Sequence, residues 1–216
     1  MQNSSLIVLV IIAANVLISM KGFNDYSFFE KYKFNIAAIK RGEYFRMFSS
    51  AFLHVDTMHL LFNMLTFYFF ADIVLQSLGL TFFILIYVAS LLFGNFLSYF
   101  FHQNEYHYSA VGASGAVVGI LYSAILFYPD MSLYLFFIPI PIPAWIFGIV
   151  YLLYSLYGMK KQLGNIGHDA HFGGAIAGYV ITLLLAPYLL QKNLWIVLVL
   201  AVPIIILFVL IKTKKI

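Results

Sequence analysis

Cysteine is absent from the 216 residues, which excludes disulfides, thiolate metal sites and cysteine nucleophiles. Charge is nearly as scarce: Asp, Glu, Lys and Arg make up 9 % of the chain, too little to solvate the surface of a water-soluble domain. Acids are the rarest, and Asp72 alone lies well inside an apolar run. An aspartyl intramembrane protease needs two buried carboxyls and is thereby excluded; the plain reading of Asp72 is an ion pair near the far end of its span. No HExxH pattern exists to pair zinc-binding histidines with a base, so His54, His59, His168 and His171 do not form the motif of a metalloprotease or metal transporter. No internal repeat and no low-complexity tail are present.

What remains is apolar. Hydrophobic residues account for 63 % of the chain and aromatic residues for 19 %. A crossing helix needs roughly 20 residues, so the length accommodates at most about seven. Apolar runs at about 5–20, 58–77, 79–101, 112–128, 143–159, 168–188 and 193–211 predict seven spans. The first lacks the basic flank and cleavage site of a signal peptide and is read as a true span. The net charge of +4 sits in short clusters that suit headgroups rather than nucleic acid. Residues 21–57 hold six of the twelve Lys and Arg together with Phe23, Tyr26, Phe28, Phe29, Tyr32 and Phe34, which predicts a structured segment lying partly in the interface. The alternating prolines Pro139, Pro141 and Pro143 predict a stiff extended link before the fifth span.

A polar side chain inside lipid is costly and marks a functional site by default. Three groups stand out. His59 and Asn63 are four residues apart and share a helical face, as either an interhelical clamp or a functional pair. Gly112, Gly115 and Gly119 form a glycine stripe beside Ser114, with Gly115 and Gly119 in GxxxG spacing, so this helix can approach a neighbour closely. His171, Gly174, Ala175 and Gly178 occupy about a third of another helix's circumference. If the two small-residue faces meet, Ser114 and His171 come within reach, and a hydroxyl beside an imidazole is the logic of an activated nucleophile. Asp169 is about 200° from His171 around the helix and points away. His102 and His107 read as solvated loop residues, and His168 as a loop or helix-start residue.

Taken together, Phe45-Arg46 with Phe52-Leu53-His54, then His59-x-x-x-Asn63, Gly112-x-Ser114-Gly115 and Ala170-His171-x-x-Gly174-x-x-x-Gly178 resemble the rhomboid family of intramembrane serine proteases. The resemblance covers about 6–188. It implies an all-α polytopic membrane protein with a rhomboid-like six-helix core at 5–188 and one additional C-terminal transmembrane helix at 193–211, the whole of 1–216 being a single membrane domain. It also implies a serine endopeptidase that uses a dyad: Ser114 as nucleophile and His171 as base. The Ser114 amide with the His59 and Asn63 side chains would hold the oxyanion. Gly112 would leave room for substrate backbone, and Gly115, Arg46, His54, Gly174 and Gly178 would support the site. The substrates implied are transmembrane proteins within the lipid bilayer, cut beside a small side chain, with no metal or other cofactor and no nucleic acid. The alternative is a noncatalytic rhomboid-like protein that binds transmembrane clients.

The chain departs from that family at three points. Phe45 stands where tryptophan is usual. Val118 replaces an aromatic ring that packs on the catalytic imidazole, leaving Tyr122 as a possible substitute. Leu75 replaces an acid that pairs with the loop arginine, so Asp72, Gln76 and Glu43 compete as partners of Arg46. Topology carries a conflict as well. Counted by alternating sides, eleven of the twelve Lys and Arg fall on the active-site side, which the positive-inside rule assigns to the cytoplasm. The resemblance implies instead a bacterial plasma membrane with the active site facing outward. Six of the eleven lie in the interfacial 21–57 segment, where they can snorkel, so the outward orientation is the one expected.

Overall fold

The computed structural model describes residues 2–135, 138–161 and 167–213. Of the polar connections counted above, 162–166 and the last three residues of the tail lie outside them. The protein is an all-α bundle. Helix α1 (Gln2–Asn24) is followed by a folded segment of α2 (Tyr26–Tyr32), strand β1 (Phe34–Asn35), α3 (Ile36–Lys40), α4 (Arg46–Ser49) and a 3-10 turn (Ser50–Phe52). Asp25 and Asn35 cap α2 and α3 by accepting from the Phe28 and Ala38 amides, which is why so short a helix can start at each.

Helix α5 runs from Thr57 to His102, 46 residues. A straight helix of that length would be about 69 Å, more than twice the roughly 30 Å hydrocarbon core, so it must fold back. It does so at Gly79, whose φ of 79° is open to glycine. Phe67 on the first arm meets Phe83 and Tyr87 on the second, at 6.1 and 5.4 Å between ring centres. The arms are therefore antiparallel and make the two spans predicted on either side of residue 79.

Strand β2 (Ser109–Ala110) pairs with β1, tying the loop after α5 to the 21–57 segment. Helix α6 (Ser114–Phe127) has only 14 residues, and every one from Gly115 to Phe127 is buried. Enclosed by protein, this helix of about 21 Å need not match the roughly 30 Å hydrocarbon core. Strands β3 (Ser132–Leu135) and β4 (Ile138–Pro143) form an antiparallel pair. The proline run is thus extended, as predicted, but it is half of a hairpin rather than a bare link. The Ala144 amide donates across to Met131 O at 2.9 Å. Residues of even number therefore face β3 near this end, and the backbone nitrogens of Pro141 and Pro143, which have no hydrogen to donate, face away.

Helices α7 (Ala144–Lys161) and α8 (His168–Leu185), a short α9 (Leu189–Lys192) and α10 (Leu194–Lys212) complete the chain. The core is the packing of both α5 arms, α6 and α8, whereas α10 packs on α7 at the side. Asp72 makes no ion pair among the described residues, and its Oδ1 is buried without a partner. The interface pair expected there is not formed, since among the described residues no cationic side chain comes within ion-pair distance of Asp72.

Candidate active site

The glycine faces of α6 and α8 meet. A Cβ on Gly174 would run into the carbonyl of Gly115, and one on Gly178 into the carbonyl of Gly119. Both contacts pair residues 59 apart in sequence, so the two helices are parallel and in register. Ser114 begins α6 and His171 lies in the first turn of α8, at the same end of the pair and about 3 Å apart along its axis. The second arm of α5 joins them: a Cβ on Gly94 would lie 2.7 Å from Ala170 O, and one on Gly173 would lie 2.6 Å from Phe93 O. Among the described residues, no hydrogen bond joins Ser114 Oγ to His171.

Gly112 falls outside the helix, with φ at 132°, so the glycine stripe of α6 consists of Gly115 and Gly119 alone. The space its missing side chain leaves is taken by His59. A methyl group there would lie 2.9 Å from His59 Nε2 and 3.8 Å from Ser114 Oγ, which puts the imidazole and the hydroxyl on two sides of one small volume. His59 is held in place by Asp56, the N-cap of α5, which accepts from the His59 amide at 2.7 Å. Asn63 Nδ2 donates to His59 O at 3.2 Å, and its second N–H has no acceptor among the described residues. As the first residue of α6, Ser114 has a backbone N–H with no intrahelical acceptor.

Behind this volume a hydrogen-bond chain fixes the loop that ends at Ser114. The Ala113 amide donates to His54 Nε2 at 3.4 Å. Since Nε2 accepts, Nδ1 carries the proton and donates to Ser19 Oγ at 2.9 Å, and Ser19 in turn donates to Phe52 O at 2.9 Å. His54 is fully buried, and burial, followed by the neighbouring His59 imidazole, pushes its pKa down to about 3. A second brace comes from Asn95, which donates to Met47 O at 2.7 Å and Ser50 Oγ at 3.2 Å, while Ser50 O accepts from the Gly112 amide at 3.0 Å.

Arg46 finds its partner in Glu43, with Nη2 to Oε2 at 2.7 Å. It also donates to Glu30 O at 2.8 Å and Lys33 O at 2.9 Å, so one guanidinium ties the last turn of α2 to the loop before α4. Of the three partners open from sequence, Asp72 and Gln76 are excluded by their place on the far part of the first arm.

Other histidines depart from expectation. His102 is not a free loop residue: it ends α5, stacks on Tyr108 at 3.6 Å and faces Asp169 at 3.5 Å. Asp169 thus points away from His171, as its helical angle requires. His54 lies before α5, and its ring meets that of His59 edge-on at 4.9 Å. His168 opens α8 but is buried, edge-on to His171 at 6.2 Å. Among the described residues, no three potential metal ligands converge.

The side chain missing at Val118 is not supplied by Tyr122, whose hydroxyl donates to Gly148 O. It is supplied by Tyr151 of α7, whose hydroxyl lies 2.8 Å from His171 Nδ1. An aromatic residue in an apolar span carries no mark that separates a ring facing lipid from one facing a histidine, and only the packing of α7 on α8 reveals it. Asn95 and Ser19 carry no such mark either, being single polar residues whose partners come from distant parts of the chain.

A profile of the rhomboid domain matches residues 41–188. Curated relatives include RHOMBOID-like protein 12, mitochondrial, of Arabidopsis thaliana, 29 % identical over 182 residues, covering 77 % of this chain and 54 % of the relative. The rhomboid protease GluP of Bacillus subtilis is 30 % identical over 141 residues, covering 65 % of this chain and 26 % of GluP. Rhomboid protein 1, mitochondrial, of Saccharomyces cerevisiae is 29 % identical over 132 residues, 60 % of this chain and 38 % of the relative. The chain thus spans about half the length of the Arabidopsis relative and less of the other two.

Proposed function

This chain belongs to the rhomboid family, and from that premise we propose that it is a serine endopeptidase cleaving peptide bonds in or near transmembrane segments of membrane proteins. The observation that carries the reading is the parallel contact of Gly115 with Gly174 and Gly119 with Gly178, which brings a serine and a histidine to one end of a closely packed helix pair.

Ser114 Oγ attacks the scissile carbonyl carbon while His171 Nε2 takes its proton. The tetrahedral oxyanion is held by the Ser114 amide, His59 Nε2–H and the second N–H of Asn63 Nδ2. Collapse breaks the C–N bond, and the imidazolium returns its proton to the leaving amine. Water then attacks the acyl-serine ester, with His171 again as base, and releases the carboxylate and free Ser114. A small rotation of the Ser114 and His171 side chains closes the gap between them when substrate fills the volume beside His59.

The test uses purified protein in lipid with single-span substrates and a serine-directed fluorophosphonate. Cleavage and labelling are expected for the wild type, with both lost in Ser114→Ala and His171→Ala. Cleavage that survives either change overturns the mechanism. A wild type that binds spans but neither cleaves nor labels is the noncatalytic client-binding protein instead. The face carrying 21–57 and Ser114 is assigned to the outside of a bacterial plasma membrane. With seven spans the C-terminus shares that face, so a reporter fused after residue 216 that is active only in the cytoplasm overturns the assignment.

A further inference from the structure

Among the described residues no acid pairs with His171, and Asp169, two residues away, faces His102. What it has is the Tyr151 hydroxyl 2.8 Å from Nδ1. The two rings lie 5.6 Å apart and within 27° of parallel, and Phe147, one turn earlier on α7, continues the column at 5.8 Å and 24°. The column is built: α7 packs on both α8 and α10, and Gly148 lets the Tyr122 hydroxyl of α6 reach the α7 backbone.

We propose that Tyr151 is the positioning residue of the dyad, its phenol oxygen selecting the tautomer and fixing the ring plane of His171. The inference rests on the serine endopeptidase reading above. Nε2 can take the serine proton only if it carries the lone pair, which requires the proton on Nδ1. Tyr151 Oη accepts that Nδ1–H. When Nε2 is protonated in the attack, the same contact becomes a charge-assisted hydrogen bond from an imidazolium to a neutral oxygen, which is stronger than the ground-state one. Tyr151 thereby supplies orientation and some stabilisation of positive charge without bringing a second ionised group into the bilayer. Because the oxygen is carried by α7 and the imidazole by α8, the state of the base depends on how closely those helices pack.

The test is Tyr151→Phe, which keeps the ring and its stacking and removes only the oxygen, with Tyr151→Leu removing both. For Tyr151→Phe, kcat on a single-span substrate is expected to fall about 10- to 100-fold, the scale of one hydrogen bond to a charged group. KM is expected to stay within about twofold, and the unfolding midpoint to stay at the wild-type value. The rate of fluorophosphonate labelling at Ser114, which needs an activated serine but no bound substrate, should fall by the same factor. Tyr151→Leu should fall further and also lose stability. Wild-type kcat and labelling rate in Tyr151→Phe overturn the proposal while leaving the endopeptidase reading intact. A fall in kcat matched by a fall in unfolding midpoint assigns Tyr151 a structural role and also overturns it. A wild type that neither cleaves nor labels overturns both.

Discussion

Gly178 on α8 lies against the carbonyl of Gly119 on α6 so closely that a Cβ would sit 2.7 Å from the Gly119 carbonyl carbon and Cα. One methyl group is therefore enough to part the helices that bear Ser114 and His171. Gly178→Ala is expected to lower stability by about 1–3 kcal/mol, as overpacking does, and to reduce cleavage, both read in lipid nanodiscs. Gly167→Ala is the control: its Cβ would meet only Ala170 Cβ at an ordinary 3.6 Å, and wild-type stability is expected.

His54 is a neutral strut. Its Nε2 accepts from Ala113, and a proton there would remove the acceptor. The folded ring resists protonation down to about 3, against 6.5 for the free side chain. Between those values the unfolded chain binds more protons, so stability is complete above pH 6.5 and drains away as pH falls. The expected slope is at most about 1.4 kcal/mol per pH unit for this one group. Unfolding midpoints of the wild type and His54→Asn between pH 7.5 and 4.5 check it: the variant should be less stable at pH 7.5 and flatter with pH.

Arg46 holds two carbonyls as well as Glu43, so geometry should matter more than charge. Arg46→Lys keeps the charge but cannot reproduce the planar fork, and a loss of about 1–3 kcal/mol is expected for the buried carbonyl contacts. Glu43→Gln removes two solvent-screened ion pairs, to Arg46 and to Arg41, and a clearly smaller loss is expected. The Arg46 hydrogen bond holds the Glu43 carboxyl below its ordinary pKa, so this small contribution is present near neutral pH and disappears in acid. Urea or thermal unfolding of the two variants side by side separates the cases; equal losses would mean the carbonyl contacts carry nothing.

Helix α10 lies beyond the residues that match the family. It packs on α7 through Trp195 against Trp145 at 5.2 Å, while Val197 O accepts from Tyr179 of α8 at 2.8 Å. Removing residues 193–216 should loosen α7, and with it the Tyr151 contact to His171. Cleavage is expected to fall about 10-fold or more, with Trp195→Ala showing a smaller loss. A truncated protein with wild-type activity would make α10 irrelevant to the site.

The seven apolar runs and the two glycine faces were legible because lipid imposes them on the sequence directly: a span must be long and apolar, and a close helix contact must be small. Gly174 and Gly178 announce their contact by spacing alone. Tyr151, Asn95 and Ser19 do not, since each acts through a partner set by helix rotation and depth, which local pattern does not encode. Arg46 is intermediate. Its true partner lies three residues away and is one of the three acids and amides open from sequence, yet the two backbone carbonyls it holds have no side-chain signature. Gly112 shows the remaining gap: a strained loop glycine and a helix-packing glycine look alike in a GxSG string, and only φ distinguishes them.

The turn at Gly79 bears on how the protein enters its membrane. Two arms joined by a single residue bring no hydrophilic segment to their far end, so they can partition from the translocation machinery as one unit. The turn thereby returns Thr57 and His102, the two ends of α5, to one end of the hairpin, beside the 21–57 segment and the loop that leads to Ser114.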